Sequence, residues 1–508
     1  MAGQDPESPR RVSRRAVLST AAAAASLAAA YAALEGLPHL RSSEPPKLAA
    51  YDEHAAIDNE SVRISHLLRR AGFGASREEF ARYKSMGLQA TVDELVNYEA
   101  IDDSAVEAMV KDPAVQRQGA GPVWLVRMAN TKRPLQEKMT LFWHGLLTTE
   151  ASAVPDLDAL QEQNRLFREH ATGDFRDLLI GITHDRAMWV YLDIDGSVKA
   201  SPNENFAREL MELFTMGPGN YTEDDVRQAA RAFTGWTVHR PNPANLNILG
   251  ERLFHPDDWD GGDKTFLGHT GNFGPDDIID IIVDQPATGR YITRRLFEYF
   301  AYPEPEDDVL APFVDAYEGA GRQIGPVLNA IFRSEAFYSR KAYRALAKSP
   351  VEYAVGAIKA LGAETDTVRI LSGRSQALRN MGQVLYDPPN VAGWPSGAVW
   401  FSSSAVLARL NYINQLTGGV PLPAQGFFGG PPGAPTPAPT PTATPLPALG
   451  TAAYAIDYYL PHALDGNISP ESRRVLLDYA GGERALLNAD SLRGLVYLIL
   501  AMPQFQLA

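Results

Sequence analysis

The chain has 508 residues and no cysteine; 45% of it is apolar, 21% is charged, and its formal charge is −14 at pH 7. This composition excludes wholesale disorder, and the lack of thiols excludes disulfides, thiolate zinc sites, cysteine nucleophiles and a lipid anchor on an N-terminal cysteine. An acidic surface repels phosphate backbones, and no Lys/Arg-rich stripe overrides it, so nucleic acid is not an expected partner. Any metal ligands must come from Asp, Glu, backbone oxygen or the ten histidines.

The first stretch reads as an address. "RRVSRRAVLSTAAAAASLAAAYAAL" has a basic start, the pair Arg14–Arg15 and an uncharged Ala-rich run. It resembles a twin-arginine export signal over residues 1–32, with Ala30-Tyr31-Ala32 as the cleavage candidate. The alternative is a single membrane anchor, for which so few large side chains are poorly suited. The reading implies the twin-arginine export machinery as a partner and a periplasmic, cell-surface or secreted location. Without residues 1–32, which hold four arginines and two acids, the charge becomes −16. Residues 33–60 read as a polar, flexible spacer.

From 61 to 422 the pattern is helix after helix, so the fold class is all-α, a multi-helix globular body with long loops. "PLQEKMTLFWHGLL", "DFRDLLIGITHD", "ENFARELMELFTMG", "EDDVRQAARAFTGW", "ATGRYITRRLFEYFAY" and "SPVEYAVGAIKALG" all carry apolar residues at helical spacing. Residues 423–448 are Pro-, Thr- and Ala-rich and predict a semi-extended linker. Residues 449–508 return to helix; too short to own a core easily, they are expected to dock on the main body.

"SPNENFARELMELFTMG" concentrates Glu204, Arg208, Glu209 and Glu212 on one side of a predicted helix. Ser201, Pro202 and Glu204 fit a capping box, and Glu204/Arg208 and Arg208/Glu212 are spaced as i,i+4 pairs. A capped helix with a solvated face explains these charges. The same face, if enclosed, can bind a cation or set up a carboxylate as general base. The next helix opens with a Thr222/Asp225 capping box. Its Arg227 or Arg231 is placed to meet the first helix's carboxylates across a short αα-hairpin.

Other candidates are scattered. His144 ends an apolar helix, as a packed histidine or as a ligand, and His170 sits at another helix end. "FHPDDWDGGDKTFLGHTG" supplies His255 and Asp260 on a Gly-rich loop. Hard-cation binding there competes with simple turn formation, because the D-x-D-x-D-G pattern is missing. A metal ion held by His144, His255 or Asp260 is the cofactor reading. "YDPPNVAGWPSGAVWFSSS" offers Asn390, Trp394 and Trp400 as a ligand-stacking loop, or as tryptophans wedged onto the core. No G-x-S-x-G elbow, Walker A loop, dinucleotide fingerprint or H-E-x-x-H motif is present.

Together, "HLLRRAGFG", "LFWHGLLTT", "PNENFARELMELFTMG", "YTEDDVRQAARAFTGW", "DGGDKTFLG", "QPATGRYITRRL", "DPPNVAGWPSGAVWFSSS" and "LILAMPQFQLA" resemble the bacterial "domain of unknown function 1800" family. The resemblance runs from about residue 62 to the C-terminus, interrupted by the linker. It implies an exported, mostly helical protein. By association with a sulfatase-like family it suggests work on an envelope or extracellular polymer, or a sulfatase-like partner. The family pattern favours His-Asp where this chain has Trp259-Asp260, so a role of that histidine is lost or moved here. Two functions are therefore expected: a hydrolase-like or metal-binding enzyme using Glu204, Arg208, Glu209 and Glu212, with His144 as a nearby imidazole, or a non-catalytic binding protein using the tryptophan loop.

Overall fold

In the computed structural model the described residues are 57–242, 244–362, 375–418, 446–447 and 449–508. The signal segment, residues 33–56 of the spacer and residues 423–445 of the linker lie outside them. The protein is all-α: about 60% helical, with 23 helices and two small two-stranded sheets among the described residues. No helix among them is long and apolar enough to cross a membrane.

Local chemistry explains many of the helix starts. Ser76/Glu79, Thr222/Asp225 and Ser349/Glu352 each form a reciprocal capping box ahead of the helices Arg77–Met86, Glu223–Ala232 and Pro350–Ala360. Each box satisfies two backbone N–H groups that would otherwise lack acceptors in the first turn. The apolar stripe of Glu223–Ala232 is Val226, Ala229, Ala230 and Ala232, all buried, while its acids face outward.

The strands lie in the loops after this helix. β1 (Trp236–Val238) pairs antiparallel with β2 (Arg252–Phe254), with Trp236 opposite Phe254. β3 (Lys264–Phe266) pairs with β4 (His269–Gly271) through the two residues Leu267 and Gly268, both at positive φ. That is the hairpin-compatible turn hand. A leucine in this region is uncommon; Asp225 holds it by accepting from Leu267 N–H at 2.8 Å, so one carboxylate caps a helix and pins a hairpin.

One hydrophobic core runs from Ile64 to Phe505. The helices Ala452–Leu464 and Ala489–Ala501 pack against Pro350–Ala360, Ser403–Leu416 and Arg77–Met86, and Lys348 N–H donates to the Gln506 carbonyl at 2.9 Å. Two buried charged groups of this region are paired. Lys138 pairs with Glu352, while Asp465 accepts from Ser65 (2.6 Å), Tyr343 (2.7 Å) and Arg344 (3.2 Å) and also pairs with Arg69. A charge buried this deeply persists only when paired and hydrogen-bonded.

Candidate functional site

The helix carrying the acidic cluster starts later than the capping-box reading places it. Ser201 N–H donates to the Val198 carbonyl at 2.8 Å, so it is not available to the Glu204 carboxylate for a reciprocal box. The first helical residue is Asn205, with Glu204 before it, and Asn203 Oδ1 accepts from Asn205 N–H at 2.9 Å. The α-helix covers only Asn205–Glu209 and then widens into a π-helical turn over Leu210–Thr215, closed by Met216 N–H on the Met211 carbonyl at 3.0 Å. π-Turns are rare and concentrate at functional sites.

The widened turn re-sorts the charges that a regular helical wheel groups together. Arg208 bonds Glu204 at 3.1 Å and makes two 2.8 Å bonds to Glu223 on the following helix. Side-chain exposures of 33% for Arg208 and 40% for Glu204 make this a half-solvated staple between two helices. Glu212 does not pair with Arg208; it accepts from Tyr221 OH at 2.7 Å. Arg227 pairs with Asp224 of its own helix and Arg231 with Asp260 (2.6 and 3.0 Å), so neither reaches the first helix's carboxylates. Arg208–Glu223 makes the crossing contact instead.

Glu209 is the exception. It is half-buried and, among the described residues, has no hydrogen bond or ion pair. Burial pushes its carboxyl above the ordinary glutamate range; the neighbouring Glu212 adds to this and Arg208 partly opposes it. Burial raises the phenol of nearby Tyr191, helped by Glu150, which accepts from its OH at 2.6 Å, and to a smaller extent by Glu209. The cluster thus includes Glu150, Tyr191 and Tyr221, three residues that sequence reasoning passed over. Tyr221 stands in the hairpin turn and carried a weak signal; Glu150 and Tyr191 carried none.

His144 lies deep in the fold, enclosed by Trp124, Phe167, Tyr386 and Trp394. Its Nε2 accepts from the Tyr386 N–H at 3.1 Å, which leaves the ring proton on Nδ1. Tyr386 has φ +66°, a strained value for a bulky residue, held by this bond and by Ala151 N–H on its carbonyl at 2.8 Å. The 150–151 segment therefore links the two regions: Glu150 reaches Tyr191 beside Glu209, and Ala151 reaches Tyr386 over His144.

Burial pushes the His144 imidazole down to about 3. An unfolded histidine titrates near 6.5, so the folded chain binds fewer protons and loses stability as pH falls from about 6.5 towards 3. Between pH 7 and 4.5 this is on the order of 2 kcal/mol. Urea unfolding at both pH values should show His144→Gln losing less stability than wild type over that interval; an equal loss in both proteins would show that His144 is not the group responsible.

The tryptophan loop is a wedge. Trp400 is 4% exposed and Trp394 is half-buried with its ring 5.0 Å from His144, so the pair does not form an open stacking face. Asn390 is exposed and accepts from Ala392 N–H at 2.9 Å in the turn that delivers Gly393 onto Gly145. The 254–274 loop is likewise stapled. Asp260 takes two bonds from Arg231, which hold its carboxyl below the usual range, and Lys264 donates to the Asp260 carbonyl at 2.7 Å. His255 is exposed, with Nε2 3.3 Å from Thr237 Oγ1. His144, His255 and Asp260 do not converge, and among the described residues no group of three or more His, Asp or Glu side chains is placed to hold a metal ion.

No curated protein and no solved structure matches the chain. The family model described as "Protein of unknown function (DUF1800)" matches residues 66–507, a span that takes in the acidic helix, the buried His144, the tryptophan wedge and the docked C-terminal helices. The chain belongs to this DUF1800 family.

Proposed function

We propose that the protein is an exported acid–base enzyme, hydrolytic in type, acting on an envelope or extracellular polymer, with Glu209 as the proton-donating group. The observation that carries this reading is the unpartnered, half-buried Glu209 with its raised carboxyl next to Glu212. A carboxyl tuned upward beside a second carboxylate is how one site supplies both an acid and a base. Glu212, fixed by Tyr221, is the partner carboxylate, and the Arg208–Glu204–Glu223 staple positions the turn that bears both. Export rests on the twin-arginine-type N-terminus.

The test uses the full chain expressed with its own signal and recovered from the extracytoplasmic fraction. It is incubated with peptidoglycan and with soluble envelope polysaccharides, and release of new chain ends is measured. Glu209→Gln should lower the rate by about 10²–10³-fold with an unchanged melting temperature. Wild-type activity should fall as pH rises and Glu209 loses its proton. Full activity of Glu209→Gln, or no release from any polymer by wild type, sinks the proposal. The non-catalytic alternative, binding through the tryptophan loop, is weakened by the burial of Trp400.

A further inference from the structure

A cavity of about 640 Å³ opens between the helices Ala120–Asn130 and Leu157–Glu169, with the 107–116 segment along one side. Trp124 and Tyr386, which pack against His144, are among its lining residues and are almost fully buried. Five cations line it (Lys111, Arg127, Arg133, Arg165 and Arg168) against two carboxylates, Glu107 and Glu169. In a chain of net charge −14 this is a local reversal of sign, and a concave site focuses such a field.

The inner cations are held in place, Arg127 by Glu107 within the lining and Arg168 by the buried Glu137 behind it. Arg168 donates to Glu137 at 3.1 Å and to Asn164 Oδ1 at 2.7 Å, Arg127 donates to Glu107 at 3.0 Å, and Arg133 Nε donates to the Ile101 carbonyl at 2.7 Å. Glu137 is itself fully buried and also accepts from Trp124 Nε1 at 2.7 Å, which ties Trp124 to the wall. Two donors on the rim are uncommitted: the side chains of Lys111 and Arg165 are exposed and have no hydrogen bond or ion pair among the described residues.

Asn164 supplies a second, independent observation. It is 4% exposed and lines the cavity, yet its amide nitrogen has no hydrogen-bond partner. Flipping the amide does not help, because Oδ1 is needed to accept from Arg168. Buried donors of this kind are rare and call for an acceptor. The unpaired amide and the two free rim cations lack an oxygen-rich partner, and the guanidinium groups of Arg127 and Arg168, though already paired, add to the positive field beside them.

We propose that this cavity binds an organic oxyanion whose phosphate, sulfate or carboxylate group meets the cationic wall beside Asn164. Oxyanions match the fork geometry of guanidinium groups. The volume falls within the range of small-molecule sites. The inference is independent of the Glu209 reading.

Calorimetric titration of the full-length protein with phenyl phosphate, phenyl sulfate and benzoate, each up to about 10 mM, tests it, with benzyl alcohol as the neutral control. At least one anion is expected to bind and benzyl alcohol is not; which anion binds identifies the head group. The exposed double variant Lys111→Gln/Arg165→Gln should keep the wild-type melting temperature and bind about tenfold more weakly, and added salt should weaken wild-type binding. Asn164→Leu should also lose affinity; if it fails to fold, the double variant carries the test alone. Binding of none of the anions, or binding that the double variant changes less than about threefold, would overturn the proposal.

Discussion

Replacing Asp465 by asparagine is expected to lower the unfolding free energy by about 3–5 kcal/mol, read as a fall in urea midpoint at unchanged slope. Asp465 follows the helix Ala452–Leu464 at φ +63°, a conformation asparagine also tolerates, so the substitution removes charge and little else. The carboxylate side chain is fully buried between Arg69 and Arg344, with Ser65 and Tyr343 donating to the same oxygens. Two other nitrogens of Arg69, Nε and Nη2, are already buried without partners. Without Asp465, two enclosed guanidinium groups lose their counter-charge, and an uncompensated buried charge costs far more than the intact pair contributes. A loss below about 1 kcal/mol would mean that water enters the site and the network is solvated.

The same residue sets an acid limb. Its guanidinium neighbours hold the Asp465 carboxyl well below the usual range despite burial. A depressed carboxylate contributes stability that is fully present above its unfolded value, about 3.9, and is lost as pH falls below it towards the folded value. Wild type should therefore destabilise further below about pH 4, and Asp465→Asn should flatten that limb. The window lies mostly below the one in which the buried His144 takes part with His66 and His462, so unfolding measured against pH separates Asp465 from the histidines.

Replacing Gly393 by alanine is expected to cost about 3 kcal/mol or more. Gly393 has φ +86°, and a Cβ there would stand 2.0 Å from the Gly145 carbonyl oxygen, a backbone atom that cannot swing away. Gly145 lies in the Pro134–Leu146 helix next to His144, so the close approach is what seats Trp394 against His144. Gly397 provides the comparison. It has φ +69°, yet nothing lies within 4 Å of a Cβ there, so Gly397→Ala should cost only about 1 kcal/mol, the conformational term alone. Equal melting temperatures for the two variants would show that the wedge yields, and that the contact does not fix the loop.

Much of the fold is legible in local sequence. The Thr222/Asp225 and Ser349/Glu352 boxes act within one helical turn, so the residues that form them are the ones that reveal them. The β3–β4 hairpin is not legible in this way, because Leu267 takes a left-handed turn position only with Asp225 reaching from another element. The Ser201 box fails for a related reason: the turn with Val198 takes the N–H that Glu204 would accept from, and the helix starts only at Asn205.

The candidate sites divide along the same line. An all-α chain, its family, and the gathering of Glu204, Arg208, Glu209 and Glu212 on one short stretch are all readable in the chain order, since periodicity and spacing are local quantities. Which of these charges is committed depends on contacts with other segments. The π-turn sends Glu212 to Tyr221, the next helix supplies Glu223 to Arg208, and Glu209 is left half-buried and unpaired. The cationic cavity, with Asn164, Arg165 and Arg168 on one helix and Lys111, Arg127 and Tyr386 brought from elsewhere, is likewise invisible in the chain order. Burial and charge neighbourhood are set by contacts between segments far apart in sequence, and no local pattern encodes them.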